Sequence, residues 1–320
     1  MRRFVLAALL SGFAGAALAQ PAGWQREFPL TDFSRSTVDF GDILSGGPPR
    51  DGIPALSAPP FIEAARETRI DGREPVVAVE IEGAPPRAYP LRYLTWHEIV
   101  NDEVAGVPFA VTFCPLCNSA MTFDRRLDGK VLTFGVTGKL YNSNLVMYDR
   151  ETESWWVQAI GEGIIGAHTG ARLDLLPTWM ESFASFRDRN PDGLVMDEPD
   201  WRRAYGQNPY IGYDSAARPF LYSGEDPPFG IPPLARVVRV GERAWPLSRL
   251  AEAGELREAG LVLSWAAGQA SALDSGRIGE GRDVGQVRVR DGQGRDVAHD
   301  VMFAFAFDAF WPEGEWMIGR

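Results

Sequence analysis

The sequence predicts a β-rich α+β protein of two related lobes, with short helices packed on antiparallel sheets. Three observations lead there. Apolar and β-branched runs at 76–81 and 107–113 lie between segments rich in Pro, Gly and Asp, as half-buried or buried strands do. The chain carries 10 Trp and 18 Phe in 320 residues, enough large side chains for substantial buried cores rather than disorder. Landmarks of the first part also return later in the same order, which predicts an internal duplication. Gly52-Ile53-Pro54-Ala55-Leu56 recurs as Gly230-Ile231-Pro232-Pro233-Leu234, and Arg87-Ala88-Tyr89-Pro90-Leu91 as Arg243-Ala244-Trp245-Pro246-Leu247. The formal charge of −11 makes nucleic acid and anionic membrane poor partners.

Residues 1–19 read as a signal peptide: Arg2 and Arg3, an apolar run over 4–18, and Ala17-Leu18-Ala19 as a cleavage site. The expected location is the periplasm or the exterior, with cleavage after Ala19. No second apolar stretch is long enough to span a membrane. Residues 20–60 read as an irregular N-terminal arm with turns, and 61–200 as the first lobe. Within that lobe the patterns predict a strand at 76–81, a helix over 92–101 and a strand at 107–113. A hairpin follows, 121–125 turning at Asp128-Gly129 into 131–136, and then a helix over 178–190 that Pro191 ends. Residues 201–235 read as a linker and 236–320 as a second, degenerate lobe. Laying 111–124 on 261–274 replaces Cys114 by Ser264 and Cys117 by Ala267, and the shorter spacing predicts that the helix carrying His97 is mostly missing there. Scaffold recurs and chemistry does not.

That chemistry centres on Phe113-Cys114-Pro115-Leu116-Cys117-Asn118, which holds both cysteines of the chain. A Cys-x-x-Cys pair can form a disulfide, act as a redox couple or hold a metal. Redox pairs of the thioredoxin kind precede a helix; here the residues downstream read as a strand, which gives the strand–turn–strand shape of a metal knuckle. One knuckle supplies two ligands. His97 is the first candidate for a third and Met147 for a soft fourth, with His168 behind them; such a set suits copper, or zinc without Met147. The competing readings are a core histidine at 97, a packing methionine at 147, and a disulfide across the turn. Tyr141, Asn142 and Asn144 form a polar cluster that could orient a ligand or support the sulfurs. No phosphate loop, catalytic triad order or His-Glu-x-x-His pattern is present, and no residue is assigned a catalytic role.

Four segments resemble one family. They are Gly46-Gly47-Pro48-Pro49-Arg50-Asp51-Gly52-Ile53-Pro54, Trp96-His97-Glu98-Ile99-Val100-Asn101-Asp102, Phe113-Cys114-Pro115-Leu116-Cys117, and Tyr141-Asn142-Ser143-Asn144-Leu145-Val146-Met147-Tyr148-Asp149-Arg150. Together they are similar to the domain-of-unknown-function 3179 family, from about residue 43 onward. The resemblance groups these segments, Asp51 among them, and implies no reaction. In that pattern Gly usually follows the second cysteine, where this chain has Asn118. The expected function is an exported metal-binding protein, for copper binding, delivery or metal-dependent redox chemistry, acting on a small molecule or partner protein. The alternatives are a thiol–disulfide redox protein and a binding module with a structural disulfide.

Overall fold

The computed structural model describes residues 23–319, so the signal-peptide segment lies outside the described residues. Among the described residues, five α-helices of four to seven residues lie among short strands in several sheets, and no helix is long and apolar enough to cross a membrane. The arm opens with α1 (Trp24–Glu27) and is largely irregular, yet well packed. Trp24 and Phe28 are buried, with ring centroids 4.9 and 5.0 Å from that of Trp155. They seal one face of a five-stranded sheet ordered Ile43–Ser45, Phe134–Tyr141, Asn144–Asp149, Trp155–Val157, Glu162–Ile165. Alternation along Asn144–Asp149 sends Val146 and Tyr148 to that arm-covered face and Leu145 and Met147 to the opposite core, which both cysteines join.

A second sheet runs Thr178–Ser182, Pro75–Val79, Arg87–Pro90, Leu194–Met196, Phe61–Glu63. A third runs Asp300–Phe303, Arg236–Val240, Arg243–Pro246, Glu315–Trp316. The first four strands of the former and all four of the latter share one pattern: two antiparallel pairings, then a parallel one. Each second strand pair leads into a helix, α2 (Leu91–His97) or α4 (Leu247–Ala253), and each outer pair flanks another, α3 (Phe183–Arg189) or α5 (Ala304–Phe310). The two sheets thus share one order of strands and helices.

The structure moves several expected boundaries. The helix expected over 92–101 ends at His97, because Glu98 turns to φ 57° and the β-branched Ile99 and Val100 begin the strand Ile99–Val104. The segment 178–190 is a strand followed by a helix, Ser182 capping α3 by accepting from the Ser185 amide. The hairpin at Asp128-Gly129 is a ribbon of two residues a side; Ser119–Asp124 pairs instead with Val107–Cys114. The second lobe does not lack the helix: α4 has seven residues, as α2 has. The shorter spacing falls in the following hairpin, with four paired positions in Glu255–Glu258/Leu261–Ala266 against six in Ile99–Val104/Val107–Cys114. The matching backbone bonds Phe113 N–H to Glu98 O and Trp265 N–H to Gly254 O place Ala266, not Ser264, at the position of Cys114.

The second lobe is bound closely to the first. One buried cluster runs from Cys114, Met121 and Met147 to Val237, Met302 and Phe305. Asp300 accepts hydrogen bonds from Ser119 Oγ (2.6 Å) and the Ala120 amide (3.0 Å), fixing the strand that leaves the cysteine turn. Arg239 reduces the cost of burying this carboxylate, but burial prevails and raises its pKa to about 6.

Candidate functional site: a buried dithiol beneath an apolar cavity

Cys114 is the last residue of the strand Val107–Cys114, and Cys117 the last of a 3-10 turn, Pro115–Cys117. Pro115 fits the first position of that turn, where its missing N–H costs nothing. Asn118 closes the turn at φ 51°, ψ 28°, a left-handed conformation that Asn tolerates nearly as well as Gly. Its side chain also does what Gly could not: Nδ2 donates to Val301 O at 2.8 Å in the second lobe. The strand Ser119–Asp124 follows directly, as the knuckle reading expects, with no helix after the second cysteine.

Both thiols are free and buried. Cys114 Sγ accepts from the Leu145 amide at 3.4 Å, and Cys117 Sγ from Asn144 Nδ2 at 3.4 Å. Burial pushes the Cys114 thiol up, but hydrogen bonds from Cys117 and from the amides of Leu145, Cys117 and Leu116 outweigh it, leaving the thiol below its ordinary value. Cys117 moves the other way, raised by burial and by its bond and proximity to Cys114. Of the two sulfurs, Cys114 is the one whose surroundings favour the thiolate. Asn144 is locked in place, donating to Gln158 Oε1 and accepting from the Ala159 amide, each at 2.9 Å. The Asn142-Ser143 pair forms a two-residue hairpin turn, φ 48° and 61°, between the paired Tyr141 and Asn144. That turn aims Ser143 O at the two sulfurs, 3.9 Å from Cys114 and 3.6 Å from Cys117.

The other sequence candidates lie at varied distances from this centre. His97 is buried and fully engaged elsewhere, Nδ1 2.7 Å from Pro54 O and Nε2 2.6 Å from the Tyr205 hydroxyl. Burial lowers its pKa. The structure thus does not bring His97 to the sulfurs, and no group of three or more His, Cys, Asp or Glu suited to a metal occurs among the described residues. Met147 shares the cysteines' apolar cluster. Tyr141 packs toward Phe310, centroids 6.1 Å apart, away from the thiols. His168 lies beside Trp156, its ring 5.7 Å away. Asp51 takes a hydrogen bond from the Tyr148 hydroxyl (2.6 Å) and a two-pronged ion pair from Arg150 (2.9 Å), which ties the arm to the sheet.

What the sequence reading missed lies in front of Cys114. A cavity of about 520 Å3 opens there, walled by Ile53, Leu116, Val136, Leu140 and Leu145, and floored in part by Cys114 but not Cys117. Its roof comes from the segment expected to be a linker, through Tyr210, Tyr213 and Phe220. Tyr213 Oη donates to Leu116 O (3.0 Å), and Ser143 Oγ donates to Phe220 O (2.5 Å), so the roof is fastened to the cysteine turn and to its neighbouring hairpin. Seven aromatic residues within 201–235, Tyr205, Tyr210, Tyr213, Phe220 and Tyr222 among them, were the available signal that this segment is more than a spacer.

Glu98 also faces the cavity, 7% exposed, and its carboxyl has no hydrogen-bond partner among the described residues. Burial, and then the neighbouring Cys114, raise its pKa well above the carboxylate range. Its backbone sits at φ 57°, ψ −31°, outside the regions open to ordinary side chains. The corresponding helix end in the second lobe has nearly the same angles, φ 72°, ψ −40°, and carries Gly254. The signal in the sequence was one acidic residue inside the apolar run Trp96-His97-Glu98-Ile99-Val100.

A family model described as "Protein of unknown function (DUF3179)" matches residues 50–314. No curated protein and no solved structure matches the chain.

Proposed function

The chain belongs to the DUF3179 family, whose description assigns no activity, and on the site's geometry we propose that it is a thiol–disulfide redox protein acting on a molecule held in the cavity. The observation that carries this reading is the asymmetry of the two sulfurs. Cys114 alone reaches the cavity and holds the amide donors that favour thiolate, while Cys117 lies behind it with its proton retained. An attacking and a resolving thiol need that division. In the step proposed, Cys114 thiolate attacks one sulfur of a substrate disulfide. The new S–S bond forms as the old one breaks, and the electron pair leaves on the departing sulfur, which takes up the proton of Cys117. Cys117 thiolate then attacks Cys114, closing the protein disulfide and releasing the second substrate sulfur as thiolate. The substrate gains two electrons and the dithiol loses two; the reverse sequence oxidises a substrate dithiol.

The test uses Cys117→Ser and Cys114→Ser. With oxidised glutathione, Cys117→Ser should accumulate a mixed disulfide at Cys114, visible by intact mass, while Cys114→Ser should not. The wild type should form an internal disulfide with a measurable potential in glutathione buffers. Thiols that stay reduced at every glutathione ratio, or trapping at Cys117 instead, would overturn the reading.

One observation favours a second reading. The strand–turn–strand shape, with amides aimed at the sulfurs, also suits a soft monovalent ion, and Cu(I) accepts two thiolates without His97. Anaerobic titration of the reduced protein with Cu(I) against a chelator, and with Zn(II), separates the two. Binding of one Cu(I) lost in both serine variants supports the copper reading, and no uptake removes it.

A further inference from the structure

We propose that the cavity over Cys114 is a recognition site for an uncharged, mostly apolar small molecule that offers one hydrogen-bonding group to the Glu98 carboxyl. The proposal names the class of molecule for the thiol site proposed above and rests on that reading for its chemical purpose, though binding itself requires no reaction of the sulfurs.

The cavity, at about 520 Å3, falls in the size range of small-molecule sites and is walled mainly by aliphatic and aromatic side chains. Its mouth is apolar too, with Ile211 69% and Phe220 52% exposed among the lining residues. Two residues that line the cavity, Glu98 and Tyr210, carry polar side-chain groups without a protein hydrogen-bond partner among the described residues. Neither group is sealed from the cavity, so a ligand seated there would displace the water that reaches them and would have to replace its hydrogen bonds.

The backbone at Glu98 strengthens the case. Its φ and ψ suit Gly, and the matching helix end does use Gly254. A strained residue held where a relaxed one is available marks a position kept for its side chain. The direction of that side chain, into the cavity beside the thiol, is what the strain secures.

The charge of the ligand follows from what else lines the space. The other ionic side chain there, Lys139, is already paired with Glu27 Oε2 at 3.0 Å and donates to Thr137 O at 3.2 Å. Among the described residues that line the cavity, no free cationic group remains for an anion. A cation would leave water for apolar walls and a single carboxyl, a transfer whose desolvation cost one contact rarely repays. An uncharged hydroxyl, amide or carbonyl suits a carboxylic acid, which both donates and accepts.

The test uses the Cys114→Ser/Cys117→Ser protein, in which no thiol can react, so its outcome is separate from that of the redox reading. Nile red, uncharged and apolar, serves as the fluorescent probe, and 1-octanol, octanoate and octylamine as competitors at pH 7. Nile red should bind one site, and 1-octanol should displace it at concentrations at least tenfold below those of either charged partner. Glu98→Gln should retain most of the octanol affinity. Glu98→Ala should bring octanol down to the affinity of 1-chlorooctane, which has the chain without the donor. Failure of Nile red to bind, equal competition by all three head groups, preference for a charged one, or an unchanged octanol affinity in Glu98→Ala would each overturn the proposal. Glutathione trapping at Cys114 with no octanol preference would leave the redox reading standing and this one refuted.

Discussion

Glu98→Gly should make the protein more stable while impairing its site. At φ 57°, ψ −31° a side chain costs about 1–2 kcal/mol that Gly does not. The carboxyl, 7% exposed and without a partner among the described residues, adds about 1–3 kcal/mol of unrecovered desolvation. Against this stand about 1.6 kcal/mol for two buried methylenes and about 0.5–1 kcal/mol for the extra freedom of Gly in the unfolded chain. The balance is a gain of about 1 kcal/mol. Glu98→Ala removes the carboxyl but keeps the backbone cost, so it should be about 1 kcal/mol less stable than Glu98→Gly. Urea denaturation at pH 7 of wild type and both variants measures these differences, with Gly254→Ala as the converse, expected to lose about 1 kcal/mol at φ 72°. If Glu98→Ala proves more stable than Glu98→Gly, the strain argument fails. If both fall below wild type by more than 1 kcal/mol, the carboxyl has a stabilising partner and the account of it as a group awaiting a ligand fails with it.

Asp300 gives a pH signature. Its folded pKa is raised from 3.8 to about 6, so the proton is held more tightly in the folded state. The stability this confers is complete below about 3.8 and is lost as pH rises through about 6, worth about 3 kcal/mol over that window. Asp300→Asn should flatten that part of the stability–pH curve in urea melts, and an unchanged slope would refute the assignment. Asn118→Gly keeps the left-handed turn and loses the bond to Val301 O, for about 1 kcal/mol; Asn118→Ala loses both, for about 2 kcal/mol, by the same measurement. At Gly138 an added Cβ would lie 1.9 Å from Pro48 O, at φ 72°. Gly138→Ala should therefore cost about 3 kcal/mol or more and release the arm from the cavity wall, read as raised proteolysis near Pro48.

Local patterns were sufficient where local physics decided. The strand into Cys114, the turn with its left-handed sixth residue, and the strand after it follow from β-branched runs, a proline and an asparagine. Asn144 was legible as a residue near the sulfurs because it flanks a turn signal. The boundary between α2 and its strand was not, since Trp96 to Asn101 reads as apolar helix until Glu98 breaks it by a conformation its type does not favour. The strand Thr178–Ser182 was hidden for another reason: Trp179 and Phe183 are four apart, a helical spacing, yet cross-strand pairing with Pro75–Val79 settles the first half. His97 looked like a ligand because it is near the cysteines in sequence. Its partners, Pro54 O and Tyr205 Oη, come from 43 residues before and 108 after, which no local pattern displays. The cavity belongs to the same class of feature, being assembled from the arm, the knuckle and the segment around Tyr210.

The fastening of the roof has a consequence for timing. Tyr213 Oη and Phe220 O anchor the cover to Leu116 O and Ser143 Oγ, close along the chain to the Leu116 and Leu145 amides that face Cys114. Under the exchange proposed above, lifting the cover to admit a substrate would disturb the amides around Cys114, so the sulfur would react with the cover seated rather than raised.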